Sequence, residues 1–196
     1  MDADAEAGEF ALWDRACQGD QSAFGAIFDL HKDRVFRHAF RLLADRHDAE
    51  DVLGAVFFEL WRKRRSVHVA RGSVLPWLLV TATHTASNLQ RATRRYQLLL
   101  SRLPHEESEP SAEEEAFLRS NVLDPVLSDL IDRLGPVDRS IVTLVMIEDY
   151  SISEAADVLG IGSGAARTRL SRLRTKLRGD LGESSSRSLA VEGNGS

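Results

Sequence analysis

Apolar residues recur at spacings of three and four along almost the whole chain, and that period restricts the fold to helices. Ala23-Phe24, Ile27-Phe28, His31, Val35-Phe36, Ala39-Phe40 and Leu43 share one face of a long helix or helix pair. Val52-Leu53, Val56-Phe57 and Leu60-Trp61 repeat the pattern, and Leu78, Ala82, Thr85-Ala86 and Leu89 make a third stripe. No stretch alternates at period two, so strands are not expected and the fold class is all-α.

The pattern stops between Leu103 and Ser120. Pro104-His105-Glu106-Glu107-Ser108-Glu109-Pro110-Ser111 is acidic and proline-bearing and has no apolar face to bury, as in a flexible linker. A long surface loop is the alternative, but the charge changes sign on both sides, which favours a boundary. Two small helical domains are therefore expected, residues 1–102 and 120–182, joined by an acidic linker at 103–119. In the second, Leu127, Leu130-Ile131 and Leu134 form a short helix stopped by Gly135-Pro136, and Ile141-Val142, Leu144-Val145 and Ile147 form another. The Ser- and Gly-rich residues 183–196 read as a disordered tail.

The net charge of −5 argues against a nucleic-acid partner only as an average. Trp61–Arg95 holds eight basic residues and no acid, and Ser163–Arg178 holds six and no acid. Two acid-free strips in an acidic chain point to two contacts with a polyanion. Other classes are excluded more directly. Cys17 is the single cysteine, which removes an internal disulfide framework and a Cys-based zinc cluster. The six histidines form no His-x-x-x-His pair and no glycine-rich phosphate loop is present, so no catalytic residue, metal or cofactor is expected. No apolar run approaches the roughly 18 residues of a membrane span. The acidic start Met1-Asp2-Ala3-Asp4-Ala5-Glu6 lacks the basic residues of a signal peptide. A cytoplasmic location without stable membrane insertion follows as the expectation.

The most specific local pattern lies near the C-terminus. Ser151-Ile152-Ser153-Glu154 fits a capping box. Ala155-Ala156 and Val158-Leu159 make a short apolar helix, Gly160 suits a left-handed turn position, and Ile161 plugs the space between two helices. Ser163 can cap the next helix, whose buried stripe is Ala166, Leu170, Leu173 and Leu177. Thr168, Ser171, Arg172 and Thr175 lie opposite, flanked by Arg167, Arg169 and Arg174. A short helix, a tight turn and a basic second helix form a helix-turn-helix, which places its second helix in the major groove. The alternative is a generic helical hairpin; cap, glycine, plug and basic outer face agree on the former.

At this point the chain resembles the extracytoplasmic-function (ECF) group of the sigma-70 family of bacterial RNA polymerase initiation factors. Over Ser22–Arg95 the likeness to region 2 rests on Ala23-Phe24, Arg41-Leu42-Leu43, Asp48-Ala49-Glu50-Asp51-Val52, Val56-Phe57, Trp61-Arg62, Arg71-Gly72-Ser73 and Trp77-Leu78. Over Asp124–Arg178 the likeness to region 4 rests on Ile131-Asp132-Arg133-Leu134, Glu154-Ala155-Ala156, Leu159-Gly160-Ile161, Ser163-Gly164 and Arg169-Leu170.

The resemblance implies three interfaces. Asp48, Glu50, Asp51 and Phe57 would bind core RNA polymerase, the acids facing a coiled coil of its largest subunit. The stretch Ser66–Trp77 would be a loop that captures a flipped base of the minus-ten element. His68 and Arg71 belong to that loop, and Thr81, His84, Asn88 and Arg91 on the following helix would track the single strand. Trp61 and Trp77 are read as packing residues on apolar stripes. Minus-thirty-five DNA would meet Arg167, Thr168, Ser171 and Arg172 at base edges, and Arg169, Arg174 and Lys176 at phosphates. Promoter DNA and an anti-sigma factor complete the implied partners. Two departures stand out. Gly54-Ala55 replaces the family's usual glutamine and acid, and Thr83-His84 replaces its usual Arg-Asn pair. They motivate a rival reading, a degenerate sigma-like interaction protein or decoy that binds polymerase or an anti-sigma factor without initiating. A stand-alone two-domain repressor is opposed by the region 2 likeness.

Overall fold

A first helix, α1 (Ala3–Cys17), ends in a tight turn at Gly19, whose φ of 101° favours a residue without Cβ. Asp20 follows as N-cap of α2 (Gln21–Leu43), its carboxylate accepting from the amides of Ser22 and Ala23 at 2.9 and 3.0 Å. Asp45 repeats the device for α3 (Arg46–Lys63), accepting from Asp48 N–H at 2.8 Å. A connection containing a small Ala70–Ser73 bridge leads into α4 (Leu75–Leu100). This computed structural model describes residues 3–67, 69–70, 72–100 and 122–192. The expected linker, 103–119, lies outside the described residues. The chain divides into two compact units between Val122 and Leu123.

In the first unit, α2 packs against α1, α3 and α4. The stripe read from the sequence is its inner face: Ala23, Ile27, His31, Val35, Ala39 and Phe40 are all buried. Ala49, Val52, Val56, Phe57 and Leu60 of α3 meet it, with Leu78, Leu79, Ala82 and Ala86 of α4. Phe24 and Phe28 pack edge-on against Phe57, with ring centroids 6.4 and 4.8 Å away. Gly54 sits exposed in the middle of α3, and a Cβ there would meet nothing within 4 Å. Gly54→Ala should therefore stabilise this unit by about 0.5–1 kcal/mol, measured as a raised midpoint in urea at unchanged slope.

The second unit runs through α5 (Pro125–Asp132), α6 (Pro136–Ile141), α7 (Ile152–Leu159) and α8 (Ser163–Glu192). Its core joins Leu130, Ile131, Leu134, Ile141, Val142, Leu170 and Leu173, with Ile161 and Leu159 packed against them. The apolar run after α6 widens into a π-helical turn, Val142–Ile147, closed by Glu148 N–H to Thr143 O at 3.0 Å. Burial is continuous from Arg139 to Leu144, across the junction of α6 and the π-helical turn, so this stretch is enclosed on all sides. The final helix is continuous to Glu192, ten residues past the expected boundary at 182. No proline interrupts that Ser-, Ala- and Leu-containing stretch. Among the described residues no helix is long and apolar enough to cross a membrane.

Candidate polymerase and nucleic-acid interfaces

The start of α3 gathers acids on its outer side. Asp51 and Glu50 are exposed, and Glu50 pairs with Arg46 at 3.0 Å, one turn earlier. Asp48 is partly buried, and its carboxyl is pushed above the usual aspartate range by burial, then by the charges of Asp45 and Asp51. Phe57 does not share this surface. It is 4% exposed, inside the aromatic cluster, whereas Phe58 is 68% exposed. Adjacent helix positions are about 100° apart, and the inward phase of α3 falls on the first of the two rings. Phe58 lies seven residues after Asp51, on the same helix face, with Gly54 and Ala55 between them. Phe58 also borders a shallow apolar groove with Gln21, Phe24, Phe57 and Trp61.

The first basic strip is only partly free of acid once folded. Glu59, just outside it, pairs with Arg62 at 2.7 Å and Lys63 at 2.8 Å. Hydrogen bonds from these two cations lower its carboxyl to about 2. Arg64 lies over the Trp61 ring at 4.1 Å, and Trp61 packs on Phe24 with centroids 5.0 Å apart. Trp61 is thus a packing residue, partly buried. Trp77 is also partly buried, but it stands four, seven and eleven residues before Thr81, His84 and Asn88, on their side of α4.

His68 and Arg71 lie outside the described residues. Thr81 and His84 are partly buried; Asn88 and Arg91 are exposed. Asn88 and Arg91 share a concave, basic surface with Arg94 and Arg95. These two arginines were not singled out in the sequence, although they continue the same helix face within the same strip. Thr83 points the other way. It is fully buried, donates to Leu79 O at 3.0 Å and meets His38 Nε2 at 2.8 Å. Its departure from the family arginine thus belongs to the core: a hydroxyl fits beside His38 where a guanidinium would bring a charge.

In the second unit both halves of the capping box form. Glu154 N–H donates to Ser151 Oγ at 3.2 Å, and Ser151 N–H donates to Glu154 Oε2 at 2.7 Å. Gly160 is left-handed at φ 62°. Ala166, Leu170 and Leu173 face inward, while Arg167, Thr168, Arg169, Ser171, Arg172, Arg174 and Lys176 are all exposed. Two of the polar residues carry internal bonds. Thr168 Oγ1 donates to Gly164 O at 3.0 Å, and Arg169 pairs with Asp138 of α6 at 2.8 Å. Asp138 is 31 residues away from Arg169 in sequence, and no local signal announced the pair.

A helical bundle with an acid-bearing outer helix, and a separate helix-turn-helix unit with a basic second helix, define a two-domain DNA-binding protein of the helix-turn-helix class. Sequence profiles agree: Sigma-70 region 2 matches residues 27–96, and Sigma-70, region 4 matches residues 126–177. The chain belongs to the sigma-70 family, in its ECF group. It is a sigma factor, a polymerase-binding protein that directs initiation to promoters.

Relatives span both units. The chain is 32% identical to the RNA polymerase sigma factor CarQ of Myxococcus xanthus over 87% of its own length and 95% of that protein. It is 32% identical to the ECF RNA polymerase sigma factor SigE of Mycolicibacterium smegmatis over 86% of its length, spanning 66% of that longer protein. Among solved structures, CnrH in complex with the cytosolic domain of CnrY shares the fold. Its TM-score is 0.55 at 23% identity, covering 93% of this chain and 99% of that one.

Proposed function

We propose a division of labour among three surfaces. The outer face of α3, with Asp48, Glu50 and Asp51, docks core RNA polymerase, and Phe58 rather than Phe57 supplies its apolar contact. The α4 face of Thr81, His84, Asn88 and Arg91, extended by Arg94 and Arg95, tracks the opened minus-ten strand, with His68 and Arg71 in the preceding loop. Helix α8 reads the minus-thirty-five duplex. An anti-sigma factor that occludes these surfaces is the expected regulator. The protein acts in the cytoplasm and performs no catalysis of its own.

The observation that carries this reading is the split of α8: Ala166, Leu170 and Leu173 are buried while the basic and hydroxyl residues between them are exposed. Arg172 stands opposite that buried stripe and can offer its fork to two acceptors of one guanine. Arg174 lies nearer a flank, as expected of a phosphate anchor. Arg169 must first leave Asp138, at little expense for an exposed pair, about 0–1 kcal/mol.

Transcription reconstituted from purified core polymerase, this chain and a library of randomised promoters tests the whole reading. Enriched transcripts support it; co-elution with core without transcripts is the decoy result. On a promoter so obtained, Arg172→Ala should lose about 1–3 kcal/mol of discrimination between the upstream box and scrambled duplex. Arg174→Ala should weaken both alike and flatten the salt dependence by about 0.9 in log–log slope. Identical uniform losses for the two variants would make Arg172 a phosphate contact.

A further inference from the structure

A buried carboxylate, Glu9, joins the N-terminal helix to the entrance of α4. Glu9, on α1, precedes the segment matched by the region 2 profile. Its side chain is 8% exposed and that of His31 is 6% exposed. One oxygen, Glu9 Oε1, lies 2.8 Å from His31 Nε2 and accepts from the backbone N–H of Val74 at 2.9 Å. Val74 is fully buried and immediately precedes α4. Ser73 adds to the same end, its Oγ accepting from Leu75 N–H at 3.1 Å. Ser73 also closes the small bridge with Ala70, over Gly72 at φ 74°.

A helix start leaves backbone N–H groups without acceptors and favours negative charge nearby. Here the acceptor for Val74 comes from 65 residues earlier in the chain. Burying a carboxylate is expensive unless it is paired and hydrogen-bonded, and an apolar residue could fill the position without that cost, as the buried Trp13 and Ala16 do elsewhere on α1. The carboxylate is therefore best explained by what it holds. Hydrogen bonds from His31 and Val74 keep it ionised, lowering its pKa against the opposing effect of burial.

We propose that Glu9 is a positioning residue for minus-ten recognition: from α1 it holds the Val74 amide at the entrance of α4, and thereby orients the strand-tracking face. This rests on the reading that α4 and its preceding loop contact the opened strand. Glu9 touches no DNA itself.

The test uses the full chain as wild type, Glu9→Ala and Glu9→Gln. The first readout is hydrogen exchange at the Val74 amide, which needs no DNA. Exchange should quicken roughly tenfold in Glu9→Ala, the scale of one lost charge-assisted hydrogen bond, and stay near wild type in Glu9→Gln, whose amide oxygen can still accept. The second readout is binding by each holoenzyme to two pieces of a promoter drawn from the randomised library: a single-stranded downstream-box oligonucleotide and an upstream-box duplex. Glu9→Ala should lose about tenfold on the single strand and less than about twofold on the duplex, with Glu9→Gln restoring the loss.

Unchanged exchange at Val74 overturns the proposal, and so does an equal loss on both DNAs, which would mean general destabilisation. Faster exchange with undiminished single-strand binding overturns it as well. A wild-type holoenzyme that binds the duplex but not the single strand overturns the underlying reading of α4 as the strand-tracking face, and the positioning role with it.

Discussion

Arg139→Ala should lower the stability of the C-terminal unit by about 3 kcal/mol, seen as an early, separate transition in calorimetry of the full chain. Arg139 is 3% exposed, although arginine is rarely so enclosed. Its guanidinium closes the end of α5: Nε donates to Ile131 O at 3.1 Å, and Nη2 to Asp132 O and Leu134 O at 2.8 and 2.9 Å. They lie at and just past the C-terminus of α5, where carbonyls run short of intrahelical partners, and the positive charge suits the negative end of the helix dipole. Truncation removes the donor to Asp132 O and Leu134 O, each worth about 1–3 kcal/mol if water cannot reach it, while Ile131 O keeps the backbone N–H of Leu134 at 3.1 Å. Arg139→Lys should recover only part of the loss, because an ammonium on a flexible stem cannot reproduce the planar fork. A shift below about 1 kcal/mol for the alanine variant would mean that water takes over the carbonyls of Asp132 and Leu134. The consequence for function is indirect: α5 and α6 form the platform under α8, and Asp138, next to Arg139, holds Arg169 of the recognition helix.

The helices from α2 onward were legible where their apolar residues keep one period; α1, for which the sequence offered no such stripe, was not read. Ser151 announced its cap in the sequence, while Asp20 and Asp45, which also accept the amide bonds an N-cap requires, did not stand out there. The helix-turn-helix was legible because capping box, left-handed Gly160 and inward Ile161 all act within a dozen residues. What escaped was phase and distance. Phe57 and Phe58 are chemically alike and adjacent, and only the packing of α3 on Phe24 and Phe28 decides which one turns inward. Thr83 looked like a surface departure until His38, 45 residues earlier, appeared beside it. The Glu9–Val74, Asp138–Arg169 and Arg139–Ile131 contacts join groups with no shared sequence signal, since hydrogen bonds across a fold have no period. The π-helical turn was likewise hidden, because an apolar run reads the same whether its turns hold four residues or five.

Asp51→Arg should weaken binding to core polymerase by about 2–5 kcal/mol while leaving the helical spectrum unchanged, the scale for an interfacial charge desolvated against a cation. Asp51 is exposed, so the substitution disturbs no packing. The neighbouring carboxylate supplies a second, opposite signature. Asp48 has its carboxyl raised by burial and by Asp45 and Asp51, so its ionised form is disfavoured in the free protein. For an acid raised on folding, the stabilising contribution is present below the unfolded pKa and lost as pH rises through the folded value. At neutral pH the free protein therefore carries an unfavourable charge there, and Asp48→Asn should raise the melting temperature at pH 7, with the gain fading below the ordinary aspartate range. The same variant should bind polymerase more weakly, because a cationic partner would relieve the crowding that the free protein tolerates. Stability gained and affinity lost by one substitution is the pattern of a binding surface rather than of a solvated helix start. Gly54 and Ala55, between Asp51 and Phe58, offer no side chain long enough to share the load, which concentrates the electrostatic contact on the acids. Titration calorimetry against core polymerase, paired with thermal melts across pH, decides it. If Asp51→Arg bound as wild type, or Asp48→Asn gained stability without losing affinity, the acids of α3 would be ordinary surface charges and the polymerase contact would lie on another face.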